Sequence, residues 1–254
     1  MKLTVLGSGT SVPHPSRTSA AFFLETSGGS LLIDCAPTAP SRMAAEGCDW
    51  AGLDAVWISH FHADHATGLA PLLFAMKHAK ETRDRTHSLR IFGGSGLRRF
   101  IETMDDAGGY RMLEQHFPVE VIEVEPYIEF YPINGATANA IPVPHRTESL
   151  ALHIRDASST LVYTGDTGFH KPLSAFANSV DLFVLECSFV KDKAVDRHLE
   201  LAEAMYLVRS SRPKRAMLTH LYPEWDAVDL KQEAARYEPP CEIIEAVDGL
   251  RVEF

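Results

Sequence analysis

The 254 residues are 45% apolar and 23% charged, with a formal net charge of −10; this is the make-up of a globular chain, and its acidity argues against a surface built to grip polyanions such as nucleic acid. No apolar run is long enough to span a membrane, and the opening Met1-Lys2-Leu3-Thr4-Val5-Leu6-Gly7 is too short for an export signal, so a cytoplasmic protein is expected. Cys35, Cys48, Cys187 and Cys241 are scattered with no CxxC, which suggests neither a thiolate zinc finger nor a disulfide framework.

In chain order, Lys2 to Leu6 reads as a strand that runs into the turn-rich Gly7-Ser8-Gly9-Thr10-Ser11-Val12-Pro13. Ala20 to Thr26 and Ser30 to Asp34 read as a hairpin around Ser27-Gly28-Gly29. Ala55 to Ser59 is a further strand, and Leu69 to Lys80 has helical apolar spacing. Arg90 to Phe92 reads as a strand, then Ser95 to Asp105 as a helix with Ser95 near its N-cap. Short strands follow at Val119 to Val124, Ile128 to Tyr131, Asn139 to Val143, Ser149 to Ile154, Thr160 to Thr164 and Leu182 to Glu186. His198 to Arg209 reads as a helix, Ala216 to Thr219 as a strand and Asp229 to Ala235 as a short helix. Glu242 to Ala246 and Leu250 to Phe254 close the chain as a hairpin around Val247-Asp248-Gly249. No linker, repeat or low-complexity tract divides the chain, so residues 1–254 are expected to form one domain. Strands and helices alternate in both halves. The pattern predicts an α+β fold with two mixed sheets packed on each other and helices outside, a four-layer αββα sandwich.

The densest chemistry lies in His60-Phe61-His62-Ala63-Asp64-His65, directly after the apolar strand that ends at Ser59. Imidazole and carboxylate are the usual ligands of zinc, iron and manganese. On an extended segment His60 and His62 share a face, and the following turn can carry Asp64 and His65 round to a second ion. Three later positions repeat the theme of a β-rich run that delivers one ligand-type residue at its end. His145 follows Ala140-Ile141-Pro142-Val143-Pro144, Asp166 follows Leu161-Val162-Tyr163-Thr164-Gly165, and His220 follows Ala216-Met217-Leu218-Thr219.

These residues, in this order, resemble the metallo-β-lactamase-fold hydrolases, specifically the branch that holds tRNase Z and the PhnP-type phosphodiesterases. The likeness extends over almost the whole chain. It includes the glycine-rich opening loop Gly7 to Pro13 and Leu31-Leu32-Ile33-Asp34-Cys35, which is similar to the branch's early strand ending in aspartate. The resemblance implies two divalent metal ions, with zinc, manganese and iron all suited to a His/Asp set. His60, His62 and His145 would hold one ion, Asp64, His65 and His220 the other, and Asp166 would bridge them. The segments Leu185-Glu186-Cys187-Ser188-Phe189, His198-Leu199 and Leu218-Thr219-His220 resemble a tRNase Z signature. They imply that His198 assists the phosphate and leaving group and that Glu186 orients it, so that Asp64, His198 and Glu186 form the catalytic set. A homodimer is an implication of the same likeness.

A pair of divalent ions about 3.5–4 Å apart activates water near neutral pH and stabilises the charge that builds on phosphorus. The expected activity is therefore hydrolysis of small phosphodiesters: nucleotides, cyclic phosphates or short RNA ends. Two features of the branch are missing. Asp166 follows His145 by only 21 residues, too few for the exosite arm that many bacterial tRNase Z enzymes carry there. His14-Pro15-Ser16-Arg17 stands where the PhnP type has a cysteine-rich zinc segment. The alternatives are a tRNase Z-like 3′ RNA endonuclease, or a hydrolase of a carboxylic ester, lactone or thioester on the same fold. Asp34 is a candidate to accept an imidazole N–H behind a metal-bound histidine. Arg17, Arg146 and Ser149 flank the motifs and are open to either phosphate contact or a solvated role. His14, His78, His87, His116, His153 and His170 read as structural or exposed.

Overall fold

A computed structural model describes residues 1–254 and places the strands in two sheets. The first contains β1 (Lys2–Gly7), β2 (Ala21–Thr26), β3 (Gly29–Ile33), β4 (Ala55–Ile58), β5 (Leu89–Gly93) and β6 (Val119–Glu123), with β13 (Arg251–Glu253) on the outer edge beside β1. The second runs β12 (Glu242–Glu245), β11 (Arg215–Thr219), β10 (Leu182–Glu186), β9 (Thr160–Tyr163), β8 (Leu150–Arg155), β7 (Thr137–Pro142). Both are mixed. Strands β3 to β6 are parallel, as are β9 to β12, while β1 to β3 and β7 to β9 pair antiparallel.

The strands read as near-continuous apolar runs because both faces of each sheet are covered. Alternate side chains divide between layers. Leu31, Ile33, Ala55 and Trp57 meet Leu161, Tyr163, Leu182 and Val184 of the opposite sheet in a shared core. Leu32, Val56 and Ile58 face the other way, with Leu69, Leu72 and Leu73 of the helix Leu69–His78 and Leu97 and Ile101 of the helix Leu97–Gly108. Val162, Phe183, Leu185 and Leu218 likewise cover Leu173, Leu201, Met205 and Leu230. The helix Leu201–Ser211 that supplies Leu201 and Met205 opens with a reciprocal capping box between Glu200 and Glu203. The result is the αββα sandwich expected from the pattern.

Four local expectations need correction. Ile128 to Tyr131 is not a strand: Tyr127 has φ 69°, and only Phe130 makes a bridge, to Ala138. The helix expected to start at Ser95 starts at Leu97, with Gly96 at φ 93° as its N-cap and Ser95 next to it. His198 precedes its helix, which begins at Leu201. The last two strands are not a hairpin, since β12 pairs parallel with β11 and β13 pairs antiparallel with β1, so the link between them crosses from one sheet to the other. Asp248 in that link accepts from the backbone N and hydroxyl of both Ser8 and Thr18 and thereby ties it to the glycine-rich loop. No helix is long and apolar enough to cross a membrane.

Candidate metal centre

Six strands of the two sheets end at one edge, and the polar side chains converge there. Asp34 follows β3, His60 follows β4, His145 follows β7, Asp166 follows β9, Glu186 ends β10 and His220 follows β11. His62 is the N-cap residue of a single turn of helix, Ala63–Ala66, that carries Asp64 and His65. Two backbone details make the convergence possible. Gly165, at φ 59°, lies so close to Ser59 that a Cβ there would come within 2.8 Å of the serine Cβ. His220 takes φ 57°, a left-handed conformation that turns it back over the edge.

The ligand-type atoms of His60, His62, His145 and Asp166 lie within 4.8 Å of one another, and so do those of Asp64, His65 and His220. The rings of His60, His62 and His145 stand 4.7–4.8 Å apart and nearly perpendicular, so their nitrogens point to a common centre. Asp166 sits between the groups. Its Oδ2 is 3.7 Å from His60 Nε2, 3.8 Å from His145 Nε2 and 3.4 Å from His220 Nε2, and its Oδ1 is 3.3 Å from His65 Nε2. Asp64 Oδ2 is 3.6 Å from both His65 Nε2 and His220 Nε2. These separations are mostly long for hydrogen bonds but near the edges of a coordination polyhedron with bonds of about 2.0–2.2 Å, which come to roughly 3–3.6 Å. His60 Nε2, His65 Nε2, Asp166 Oδ1 and His220 Nε2 are buried without any hydrogen-bond partner. Buried polar atoms are rarely left so, and four of them divided between two adjoining groups of ligand-type residues fit a pair of divalent cations.

A second layer fixes how each ring is presented. Asp34 is fully buried and accepts from His65 Nδ1 at 2.7 Å, Ser59 N at 2.7 Å, Ser59 Oγ at 2.8 Å and Tyr163 OH at 2.7 Å. His145 Nδ1 donates to the carbonyl of Arg197 at 2.9 Å, and His220 Nδ1 lies 3.0 Å from Ser188 Oγ. In each case Nδ1 is engaged from behind and Nε2 is the nitrogen left on the side of the cluster, the presentation that metal-binding imidazoles require. Burial pushes His60, His62 and His145 below the ordinary histidine range, so they stand as neutral rings. Burial would also lower His65, but the charges of Asp166 and Asp34 outweigh it and carry it well above that range. Burial alone would raise Asp166; the surrounding His220 and His65 hold it well below the carboxylate range.

His198 stands at the border of this cluster, its ring stacked at 5.3 Å on His220, and its ligand-type atom falls within 4.8 Å of those of Asp166 and His220. Its Nδ1 donates to Glu186 Oε1 at 3.0 Å. Glu186 is itself held by Thr167 N at 2.6 Å, Leu199 N at 3.1 Å and Ser188 Oγ at 2.6 Å. Burial opposes a charge on His198, yet the hydrogen bond and charge of Glu186 outweigh it and raise its pKa. Tyr222 stacks on Phe189 at 5.0 Å beside these rings.

All the residues that the sequence pointed to as ligands or catalytic groups are therefore brought together, and Asp34 lies directly behind them. Ser149 is buried and accepts from Arg146 N, and Arg17 is tied up by Asp226 and Glu245, so neither faces the centre. Arg146 lies exposed at the rim. Ser59, Tyr163, Thr167 and Ser188 escaped the sequence reading. Ser59, Thr167 and Ser188 adjoin motif residues, a signal that could have found them; Tyr163 is known only from the packing of the sheets.

Residues 1–238 match the family model described as anti-Pycsar protein Apyc1. The probable metallo-hydrolase YhfI of Bacillus subtilis is 27% identical over 243 residues, covering 92% of each chain. Its crystal structure, that of a metallo-β-lactamase-fold protein, superposes with a TM-score of 0.83 at 26% identity over 99% of both chains. A ribonuclease Z of Haloferax volcanii is 27% identical and spans all of this chain and 95% of its own. The short form of human tRNase Z shares the fold at a TM-score of 0.81 and 20% identity, over 100% of this chain and 99% of its own.

Proposed function

The chain belongs to the Apyc1 family of anti-Pycsar proteins and has the metallo-β-lactamase fold, and from that premise and the site geometry we propose a dinuclear metal-dependent phosphodiesterase acting on small phosphodiesters. Its relationship to proteins named metallo-hydrolase and ribonuclease Z supports a metal-dependent hydrolase. The observation that carries the narrower reading is His198, aimed by Glu186 and set against the proposed ligands Asp166 and His220. Hydrolysis of a phosphodiester expels an alkoxide, which needs a proton or a positive group, and His198 is the imidazole placed to supply one.

His60, His62 and His145 would hold one ion and Asp64, His65 and His220 the other, with Asp166 between them. Two divalent ions there would supply a nucleophile from water at neutral pH and stabilise the charge on the phosphoryl oxygens. The residues of the chain do the rest. Because Nδ1 of His198 is bound to Glu186, its Nε2 faces outward. When protonated, Nε2 donates first to the phosphate and then, as the P–O bond breaks, passes its proton to the departing oxygen. Water supplies the new P–O bond, and the products are a phosphomonoester and an alcohol.

Cleavage of RNA 3′ ends is a second reading, favoured by the ribonuclease Z relatives. The stretch between His145 and Asp166 counts against it, because β8 and β9 fill it and leave no room for a long arm. The test is turnover of bis(p-nitrophenyl) phosphate, cyclic nucleotides, a precursor tRNA and a lactone panel by metal-analysed protein, beside His198→Ala. Diester turnover that the substitution cuts, on cyclic nucleotides far more than on bis(p-nitrophenyl) phosphate, while metal content holds is the expected result. Two bound ions with no diester turnover, or turnover of lactones alone, refutes the proposal.

A further inference from the structure

Glu186 is not the only group that holds His198; a second hold comes from Lys193. This lysine stands in the loop between β10 and the helix Leu201–Ser211, and, unusually for lysine, its side chain is only 16% exposed. Its ammonium has three N–H donors and finds three acceptors: Glu203 Oε1 at 2.7 Å, Glu203 Oε2 at 2.8 Å and the carbonyl O of His198 at 3.3 Å. Glu203 lies in the first turn of that helix, where it closes the capping box with Glu200, and the helix is seated in the core through Leu201 and Met205. The backbone N–H of Lys193 also donates to Glu200 Oε2 at 3.3 Å. The carbonyl of His198 is thereby tied to a rigid element. Ahead of His198, Arg197 Nη1 donates to His145 O at 3.0 Å. Gly168 donates its N–H to Pro144 O at 2.9 Å and packs so closely under Asp196 that a Cβ would meet Asp196 O at 2.3 Å.

His198 O and Leu199 N belong to one peptide group. Lys193 holds its oxygen end, and Glu186 Oε2 accepts from its nitrogen end at 3.1 Å. The same carboxylate aims the imidazole, with Oε1 accepting from Nδ1 at 3.0 Å. Peptide plane and ring therefore share Glu186, and a plane released at its oxygen end can turn about that carboxylate and take the ring with it. No other donor reaches His198 O. A proton donor must lie within hydrogen-bond reach of the departing oxygen, and a misplacement of about 1 Å costs on the order of a hundredfold in rate. We propose that Lys193 is a positioning residue for His198: its ammonium, braced on Glu203, fixes the His198–Leu199 peptide so that the imidazole meets the leaving group. This rests on the phosphodiesterase reading of the adjoining centre.

The test replaces Lys193 with methionine, which keeps the apolar stem and deletes the charge, and with arginine, which keeps the charge. Cyclic nucleotides expel an alkoxide, whereas bis(p-nitrophenyl) phosphate expels a nitrophenolate that departs with little help. Lys193→Met should cut kcat on cyclic nucleotides about tenfold, with KM and zinc content held and bis(p-nitrophenyl) phosphate nearly unaffected, and Lys193→Arg should restore most of the loss. Added to His198→Ala, Lys193→Met should cost nothing further. An ion pair between partly exposed side chains contributes little to folding, so Tm should hardly move. Equal losses on both substrates, a full second loss in the double variant, or unchanged turnover overturns the positioning role. The ring itself gives a readout free of turnover. In zinc-loaded protein labelled with ¹⁵N-histidine, the Nδ1–H signal of His198, identified by its absence from His198→Ala, should broaden or shift in Lys193→Met and return in Lys193→Arg. If the wild type turns over no diester, the phosphodiesterase reading fails and takes the leaving-group role with it; diester turnover with a ring signal that Lys193→Met leaves unmoved sinks Lys193 alone.

Discussion

Asp34→Asn is the sharpest perturbation of the layer behind the centre. The change keeps size and shape, and asparagine tolerates the left-handed φ of 56° at this position. Three donors converge on Oδ2, from His65, Ser59 Oγ and Tyr163, and one on Oδ1, from Ser59 N. The amide oxygen must take the Oδ2 side, where it can still accept. The amide NH₂ then meets the backbone N–H of Ser59 at a place where the two were 2.7 Å apart as acceptor and donor. One buried N–H loses its partner, which costs about 1–3 kcal/mol. The charge that polarises His65 is lost as well, and such second-layer changes weaken metal binding about 10–100-fold. For a chain of this size the first effect lowers Tm by roughly 2–12 °C. Calorimetry of the metal-free variant reads the first quantity and competition with a chromophoric chelator the second. A variant that melts with the wild type and holds zinc equally well would show that Asp34 does not govern His65.

His198→Ala should slow diesters with alkoxide leaving groups about 10²–10⁴-fold, and nitrophenyl diesters less, since nitrophenolate departs with little help; equal losses on both would argue against proton donation. Ser188 links His220 Nδ1 to Glu186 Oε2, so Ser188→Ala should weaken zinc binding at the proposed His220 site about 10–100-fold and Ser188→Thr should restore it, as read by titration with a metal indicator. Gly168→Ala places a methyl 2.3 Å from Asp196 O and should cost about 1–3 kcal/mol by forcing the His145 and Asp196 loops apart; an unchanged denaturant midpoint would show that the loops yield freely. Stripping metal with a chelator should remove about 4 kcal/mol at a metal concentration a thousandfold over Kd and lower Tm accordingly; a melting curve indifferent to chelator would count against any resident ion.

Local chemistry was legible in the sequence where it is contiguous. His60 to His65 sits in six residues, and each isolated candidate ligand follows an apolar strand, so strand ends mark the candidate site. What sequence could not carry is which strands are neighbours. Val247-Asp248-Gly249 has the composition of a hairpin turn, yet Asp248 spends its carboxylate on Ser8 and Thr18, and the flanking strands part to different sheets. Tyr127 to Tyr131 has strong β propensity and runs beside the edge strand β7, but Tyr127 at φ 69° breaks the ladder, so only Tyr127 N to Ala140 O and the Phe130–Ala138 bridge form and Tyr127, Ile128 and Tyr131 stay exposed. The short helix Ala39–Ala45 went unread, since it buries only Ala39 and Met43 and shows little periodicity.

The proposed ligand set is split between the sheets, and this ties chemistry to the fold. His60, His62, Asp64 and His65 hang from the end of β4, whereas His145, Asp166 and His220 come from β7, β9 and β11 of the opposite sheet. Each proposed ion is therefore held from both sides of the shared core. Hydrogen bonds already cross the same line: Tyr163 of the second sheet donates to Asp34 behind the first, and Leu150 N donates to Ser59 O. The centre thus sits where the sheets are already pinned, which spares the seven side chains much of the ordering that ligands on free loops would require. Pre-ordering of this kind also explains how a buried group of like-charged carboxylates and close imidazoles is tolerated at all: the unfavourable arrangement is imposed by the packing of two sheets, and cations are what would make it favourable.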